Sequence, residues 1–262
     1  MIRRDLVQES GRPCWMLISQ LDHAHLATEL AEQWGSSPFA PLSPRDSLIA
    51  AIHHHDDGWS DWERQPKVDR TTGIPLAFNE LPVEESLAIW RGSITAARNL
   101  GPLEGYVVAG HFRALLERFD SWRWQGAAQI QAAEEFLVET GRKMTSWLAG
   151  WQACDQSTSD AGSREQVAQL GLAQLQFFDA LSLWLCTADR TEPQPFRLAN
   201  GPIVEFKPLD SERIQISPWP LSVEELGLQV SGRVVERAHY ADSDALAAAA
   251  GRSHTVLWRL VR

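Results

Sequence analysis

One stretch decides how the rest of the sequence is interpreted: Ile52-His53-His54-His55-Asp56-Asp57-Gly58-Trp59. Helix signals lead up to it, because Ser43 can act as N-cap, Pro44 suits the first helical position and Gly58 can end the helix. The predicted helix, 44–57, has one amphipathic face on which two polar residues lie among apolar ones: Leu48, Ala51, Ile52, His55 and Asp56. His53 falls off this face and His54 lies at its margin. An imidazole and a carboxylate therefore point toward the core, where each needs a polar partner.

Length and composition describe a protein with one sizeable core. The chain has 262 residues, of which 44% are hydrophobic, so one domain, or one domain with an appendage, is expected. A formal net charge of −10 disfavours binding to a nucleic-acid duplex or to an anionic membrane. The three cysteines are widely spaced, which argues against a disulfide framework. A cytoplasmic location is expected, because the sequence shows neither a signal-peptide-like start nor a membrane-spanning stretch.

Apolar periodicity predicts that the middle of the chain is helical. Besides 44–57, helical patterns cover 21–34, 82–100, 104–119, 127–151 and 163–186. The segment 58–81 is only weakly periodic and is expected to be a long loop, either functional or packed on the surface through its tryptophans.

Strand patterns are confined to the two ends of the chain. Strands at 1–7 and 14–19 are expected to form a hairpin. Beyond residue 193, short alternating runs predict a small sheet, which the hairpin could share, at 203–206, 213–216, 226–236 and 255–261, with a short helix at 243–250. The expected organisation is a β-hairpin (1–20), a helical domain (21–190) and a β-rich C-terminal segment (191–262) that packs on the same domain.

Four of the predicted helices aim ligand-type side chains at the core. His23 shares a face with apolar residues, whereas His25 lies opposite. His111 and Asp179 also fall on apolar faces, and an unpaired buried carboxylate such as Asp179 is costly. Each residue alone could be satisfied by a hydrogen bond to a neighbouring helix. Together with His55 and Asp56 they suit one divalent ion: Mn, Fe, Co, Ni, Zn or Mg.

The order of these residues resembles the HD superfamily of metal-dependent phosphohydrolases. Its signature is a His on one helix, a His-Asp pair that ends a second, and an Asp on a later helix. The resemblance spans roughly 21–186 and is carried by three segments: Asp22-His23-Ala-His-Leu-Ala, His55-Asp56-Asp57-Gly58 and Phe178-Asp179-Ala180-Leu181-Ser182. The stretches Gln20-Leu-Asp-His23-Ala and His55-Asp-Asp-Gly-Trp59, with Trp62-Glu63, look like an uncharacterised bacterial branch known only as a domain of unknown function.

The resemblance implies a mainly-α fold, an HD-domain-like helical bundle, with a small β-rich N-terminal hairpin and C-terminal strands. It also implies a single divalent ion held by His23, His55, Asp56 and Asp179. The implied activity is hydrolysis of a nucleotide-like or other small phosphoester by a metal-activated water.

The resemblance also assigns roles around the ion. Asp57 or Glu63 could accept the proton, and His111 could act with them or contact a phosphate. The substrate pocket would include a histidine and two tryptophans able to stack on a nucleobase: His54, Trp59 and Trp62. The expected partner is a small-molecule phosphoester, and a homodimer is left open.

Two departures from the family pattern keep alternatives open. Trp59 stands where many members carry a basic residue, so a non-catalytic metal-containing protein that binds or senses a small ligand is a second hypothesis. Dinuclear members, including the oxygenases, have two further histidines before the last Asp, and only His111 lies in that interval. An iron oxygenase would therefore need His54 or Asp57 to complete a second metal site.

Overall fold

Seven strands from the two ends of the chain join in one mixed sheet. The computed structural model describes residues 1–8, 10–154, 161–187, 192–198, 201–249 and 251–262. The strands are β1 (Ile2–Val7), β2 (Pro13–Ile18), β3 (Gln194–Arg197), β4 (Ile203–Pro208), β5 (Arg213–Ser217), β6 (Leu226–Glu236) and β7 (Ser253–Val261). Their order is β1-β2-β6-β7-β5-β4-β3, and β5 pairs in parallel with β7 while the other pairs are antiparallel.

Seven of the helices lie between β2 and β3, and the last lies between β6 and β7. They are α1 (Gln20–Glu32), α2 (Arg45–His54), α3 (Ser60–Arg64), α4 (Val83–Leu100), α5 (Pro102–Arg118), α6 (Ala127–Cys154), α7 (Ala161–Thr187) and α8 (Ser243–Ala248). The six long helices expected from periodicity are confirmed. α2 ends at His54 rather than at residue 57, and a 3-10 turn, Asp57–Trp59, follows it. None of the described helices is long and apolar enough to cross a lipid bilayer.

The prediction of a mainly-α, HD-domain-like helical bundle is wrong. The chain is 53% helical, but the seven-stranded mixed sheet makes the fold α/β. The join is β2 with β6, where Cys14 faces Glu236 across an antiparallel ladder. Pairing removes one exposed edge from each strand group, and exposed edges are unfavourable in isolated sheets. Because the paired segments lie more than 200 residues apart, local periodicity cannot reveal that they form one layer.

The core lies between the sheet and the helices. α1 and α7 contact the sheet, α1 through β6 and α7 through β1 and β3. Trp34, just beyond α1, packs edge-on against Phe39, Phe177 and Phe178, with ring centroids 4.9–5.4 Å apart. α5 packs in turn against α4, α6 and α7, so the residues that α5 and α7 turn toward each other are enclosed.

The segment 58–81 is more ordered than expected. It contains α3 and a 3-10 turn, Phe78–Glu80, and Val68 forms a β-bridge with Pro75. Trp62, Val68 and Ile74 pack against a second, smaller apolar cluster: Met1, Trp15, Leu17, Val235, Tyr240 and Leu246. Of the two alternatives left open for this segment, packing on the surface through a tryptophan agrees with the position of Trp62 against apolar residues of β2 and β6.

Candidate metal centre

Polar side chains from four helical segments meet in the interior. His23 lies in the first turn of α1, His55 directly follows α2, His111 lies within α5 and Asp179 within α7. Asp56 follows His55. The exposed fractions of His23, His55, Asp56, His111 and Asp179 are 0%, 1%, 4%, 2% and 8%. Burial this complete requires that each polar group find a partner.

Local sequence explains the sharp turn that carries His55 and Asp56. His55 still has helical backbone angles, whereas Asp56 leaves the helix at φ −109°. The backbone carbonyl of Asp56 accepts a hydrogen bond from Trp59 N at 2.9 Å. Gly58 N donates to the buried Ser93 hydroxyl at 3.0 Å. A Cβ atom at Gly58 would collide with backbone atoms of α4, so glycine allows the turn to rest directly on that helix.

The ligand-type atoms are arranged as neighbours around one point. His23 Nε2 lies 3.1 Å from Asp56 Oδ2 and 3.4 Å from Asp179 Oδ1. His55 Nε2 lies 3.5 Å from Asp56 Oδ2 and 3.4 Å from Asp179 Oδ1. Bonds of roughly 2.0–2.2 Å to a common ion place adjacent ligands about 3.0–3.5 Å apart. The observed separations therefore fit a small divalent cation.

Hydrogen bonds on the far side of each ring fix which nitrogen carries the proton. His55 Nδ1 donates to Ile52 O at 2.7 Å. The Ser182 hydroxyl donates to Asp179 O at 3.0 Å, so its oxygen accepts from His23 Nδ1 at 2.8 Å. In the neutral form of each ring, Nε2 then directs a lone pair at carboxylate oxygens. The carboxylates need a positive charge beside them, which either a proton on an imidazole or a metal ion provides. An Nδ1 atom bonded to a backbone or hydroxyl oxygen is the usual environment of metal-bound histidine.

The charges around the site also favour a positive charge at its centre. Burial opposes a charge on His55, but Asp56 and Asp179 outweigh burial and raise the His55 pKa to about 9. Burial also opposes ionisation of the two carboxyl groups, yet the facing histidines hold the pKa values of Asp56 and Asp179 below the usual range. His55 Nε2 has no hydrogen-bond partner among the described residues. His23, His55 and Asp179 thus form a buried group that could hold a metal ion.

The comparison with protein families gives one match. Residues 3–237 match the family described as "Protein of unknown function (DUF3891)". The chain belongs to this family. No curated protein and no solved structure matches this chain. The expected relation to an uncharacterised domain of unknown function is confirmed, and none of these comparisons links the chain to the HD superfamily.

Among the residues predicted to act on substrate, His111 lies nearest to the centre. Its Nε2 is 3.9 Å from Asp179 Oδ2, and its ring packs edge-on against His55 with centroids 5.6 Å apart. Nδ1 has no hydrogen-bond partner among the described residues. Burial lowers the His111 pKa to about 4, so this imidazole is neutral at pH 7.

Glu63 and Asp57 lie beside the centre and have other partners. Glu63 Oε1 accepts from the amino group of Met1 and from Gln20 N, both at 2.8 Å. Burial raises the Glu63 pKa. Asp57 is about one-third exposed and accepts from His54 Nδ1 at 2.9 Å. The hydrogen bonds and ion pairs described for these two carboxylates do not include the buried histidines, in contrast to those of Asp56 and Asp179.

The predicted pocket residues have different environments. Trp59 is only 2% exposed and packs edge-on against Trp62, with centroids 5.6 Å apart. Trp62 is half-buried and donates from Nε1 to Glu85 Oε2 at 3.2 Å. His54 is half-exposed on the outer side of α2. Of the two tryptophans, only Trp62 presents ring surface that a ligand could reach without displacing core side chains.

Two residues that position the site had no role assigned to them from the sequence. Ser182 orients His23, and Ser93 holds the turn that carries Asp56. Ser182 lies three residues after Asp179 on the same helical face, and that spacing is a signal that could have identified it. Ser93 offers no comparable signal, because its contact with Gly58 spans 35 residues.

Proposed function

We propose that this protein is a metal-dependent phosphohydrolase whose ion is held by His23, His55, Asp56 and Asp179. One observation carries the proposal: the Nε2 atoms of two imidazoles and two carboxylates face each other, while the Nδ1 atom of each imidazole already has a hydrogen-bond partner. The ligand order resembles that of the HD superfamily. We propose metal-dependent phosphoester hydrolysis for a chain whose fold is α/β rather than an all-helical bundle.

The chain's own residues would prepare the ion site and the proton path. A bound divalent ion would lower the pKa of a water molecule and polarise a phosphoryl oxygen. Ile52 O and Ser182 keep His55 and His23 in the form that can bind the ion. Neutral His111, next to Asp179, can donate a hydrogen bond to the substrate.

Among His111, Asp57 and Glu63, only His111 has a described contact with the ligand Asp179, so we propose His111 as the residue that contacts the substrate beside the ion. Glu63 Oε1 accepts two hydrogen bonds, whereas its buried Oε2 has no partner among the described residues, and Asp57 is paired with His54. The substrate proposed is a nucleotide-like or other small phosphoester, with Trp62 as the ring available for stacking.

The test is metal analysis followed by a substrate screen. The untagged protein is purified without chelator or metal-affinity resin, and its ion is identified by elemental analysis. A panel of nucleoside phosphates, cyclic nucleotides and p-nitrophenyl phosphate is then assayed with that ion. The expected result is one retained ion and turnover of at least one compound, with both lost in His55→Gln and Asp179→Asn. A protein that binds no ion even after incubation with each candidate metal would refute the proposal.

The enclosure of the site favours one alternative, a non-catalytic metal-containing protein that binds or senses a small ligand. Its polar residues are at most 8% exposed, and a catalytic ion needs an open coordination position. A retained ion with no turnover across the panel, together with tight binding of one compound without conversion, would support this alternative.

A further inference from the structure

The outer side of α1 and α2 carries a second group of histidines. His25 follows the buried His23 by two residues, and His53 precedes the buried His55 by two, which on a helix places them on opposite sides. His25 is exposed and His53 is half-buried. Their rings stack across the two helices, with centroids 4.6 Å apart and planes 18° apart. Each helix therefore offers one imidazole to the interior and one to the outside.

A hydrogen bond orients the ring of His53. The Thr28 hydroxyl donates to Ala24 O at 2.8 Å, so its oxygen is left to accept from His53 Nδ1 at 3.4 Å. With the proton on Nδ1, the Nε2 atom of neutral His53 keeps its lone pair.

His54 is oriented in the same way. Its Nδ1 lies 2.9 Å from Asp57 Oδ2, and its ring centroid lies 4.6 Å from that of His53. A carboxylate that accepts from Nδ1 fixes the tautomer and makes Nε2 a stronger metal ligand. The Asp57–His54 pair therefore has the geometry of a metal-binding carboxylate–histidine unit.

We propose that His25 and His53, with His54 as a third donor, form a second cation site for an ion that prefers imidazole, such as Zn²⁺, Ni²⁺ or Cu²⁺. In a tetrahedral site with bonds of roughly 2.0–2.1 Å, two nitrogens lie about 3.4 Å apart. Because an imidazole binds a metal in the plane of its ring, the stacked His25 and His53 rings cannot share an ion as they lie. The exposed His25 side chain must rotate so that one of its nitrogens and His53 Nε2 face a common point.

This site is separate from the buried centre in position and in chemistry. The buried centre supplies carboxylate and imidazole ligands together, whereas the outer site supplies imidazoles, with its nearest carboxylate used to orient His54. An ion bound outside would link α1 to α2, the two helices that carry His23 and His55. It would do so whether or not the protein is a hydrolase.

Equilibrium dialysis of the untagged, metal-stripped full chain against Zn²⁺, followed by elemental analysis, tests the proposal. The wild type should bind two equivalents. His25→Gln and His53→Gln should each lose one, and His55→Gln should lose the other. His254→Gln, at an exposed histidine of β7, is the matched control and should retain both.

Two results would overturn the outer site. One is two equivalents in both His25→Gln and His53→Gln. The other is a single equivalent in the wild type that His55→Gln removes. A single equivalent that His53→Gln removes and His55→Gln retains would instead support the outer site and contradict the buried centre. Retention of the native protein on immobilised Ni²⁺, lost in both outer variants but not in His254→Gln, provides a second readout.

Discussion

Substitution of Ser182 by alanine should weaken metal binding without touching a ligand. Ser182 is fully buried, and its hydroxyl accepts from His23 Nδ1 at 2.8 Å while donating to Asp179 O at 3.0 Å. In the metal-free Ser182→Ala protein, the proton of His23 can move to Nε2 and bond Asp56. Metal binding forces the proton back to Nδ1, which then has no acceptor. The unsatisfied N–H therefore raises the free energy of the metal-bound state relative to the metal-free state.

The size of the effect follows from that unsatisfied donor. A buried N–H left without an acceptor costs about 1–3 kcal/mol. Loss of a partner behind a metal-bound histidine typically reduces affinity about 10–100-fold, which corresponds to about 1.4–2.8 kcal/mol. The two ranges agree, so we expect the dissociation constant for the buried ion to rise by about 10–100-fold.

A competition titration against a chromophoric chelator measures this change. It is performed with Zn²⁺ in the His53→Gln background, so that the outer site does not contribute. Thr187→Ala is the matched control, because Thr187 lies exposed on the same helix and its hydroxyl donates to Leu183 O, the one partner it has within the described part of the chain. An unchanged affinity in Ser182→Ala would refute the assignment of His23 as an Nε2 ligand held by Ser182.

Three further predictions concern stability. Gly58→Ala should lower the free energy of unfolding in urea by about 1–3 kcal/mol, because the added Cβ would meet Ile89 O and Ser93 N. The control Gly150→Ala, in open space on α6, should not lower it, and equal urea midpoints for the two variants would contradict the packing described at Gly58. Trp34→Ala should cost about 3–5 kcal/mol by urea denaturation, because Trp34 packs against three aromatic rings; a loss below about 1 kcal/mol would contradict its place in the core. Removal of the ion by a chelator should lower the melting temperature, and free ion at about 100 times its dissociation constant should restore about 2.7 kcal/mol; identical melting curves with and without the ion would show that no ion binds the native state.

Local periodicity was sufficient to predict the helices and the direction in which their polar side chains point. His23 and His25 differ by two positions, and the first is fully buried while the second is exposed, as the helical period requires. The same reasoning placed His55, Asp56 and Asp179 inward. Convergence of residues more than 120 positions apart could be expected only because each was an unpaired polar group on an apolar face.

Periodicity could not predict contacts between residues that are far apart in the chain. The ladder between β2 and β6 joins the two ends, and no local pattern distinguishes it from two separate small sheets. Glu63 looked like a free carboxylate near the site, yet it lies against the amino group of Met1. Trp59 looked available for stacking, but it is only 2% exposed, and the turn that carries it packs against α4.

Anomalous X-ray scattering at the absorption edge of the retained metal tests the central claim most directly. At the buried centre we predict a strong peak about 2.0–2.2 Å from each of four atoms: His23 Nε2, His55 Nε2, Asp56 Oδ2 and Asp179 Oδ1. Anomalous density confined to other parts of the protein, or no density at these four atoms after metal loading, would contradict the account.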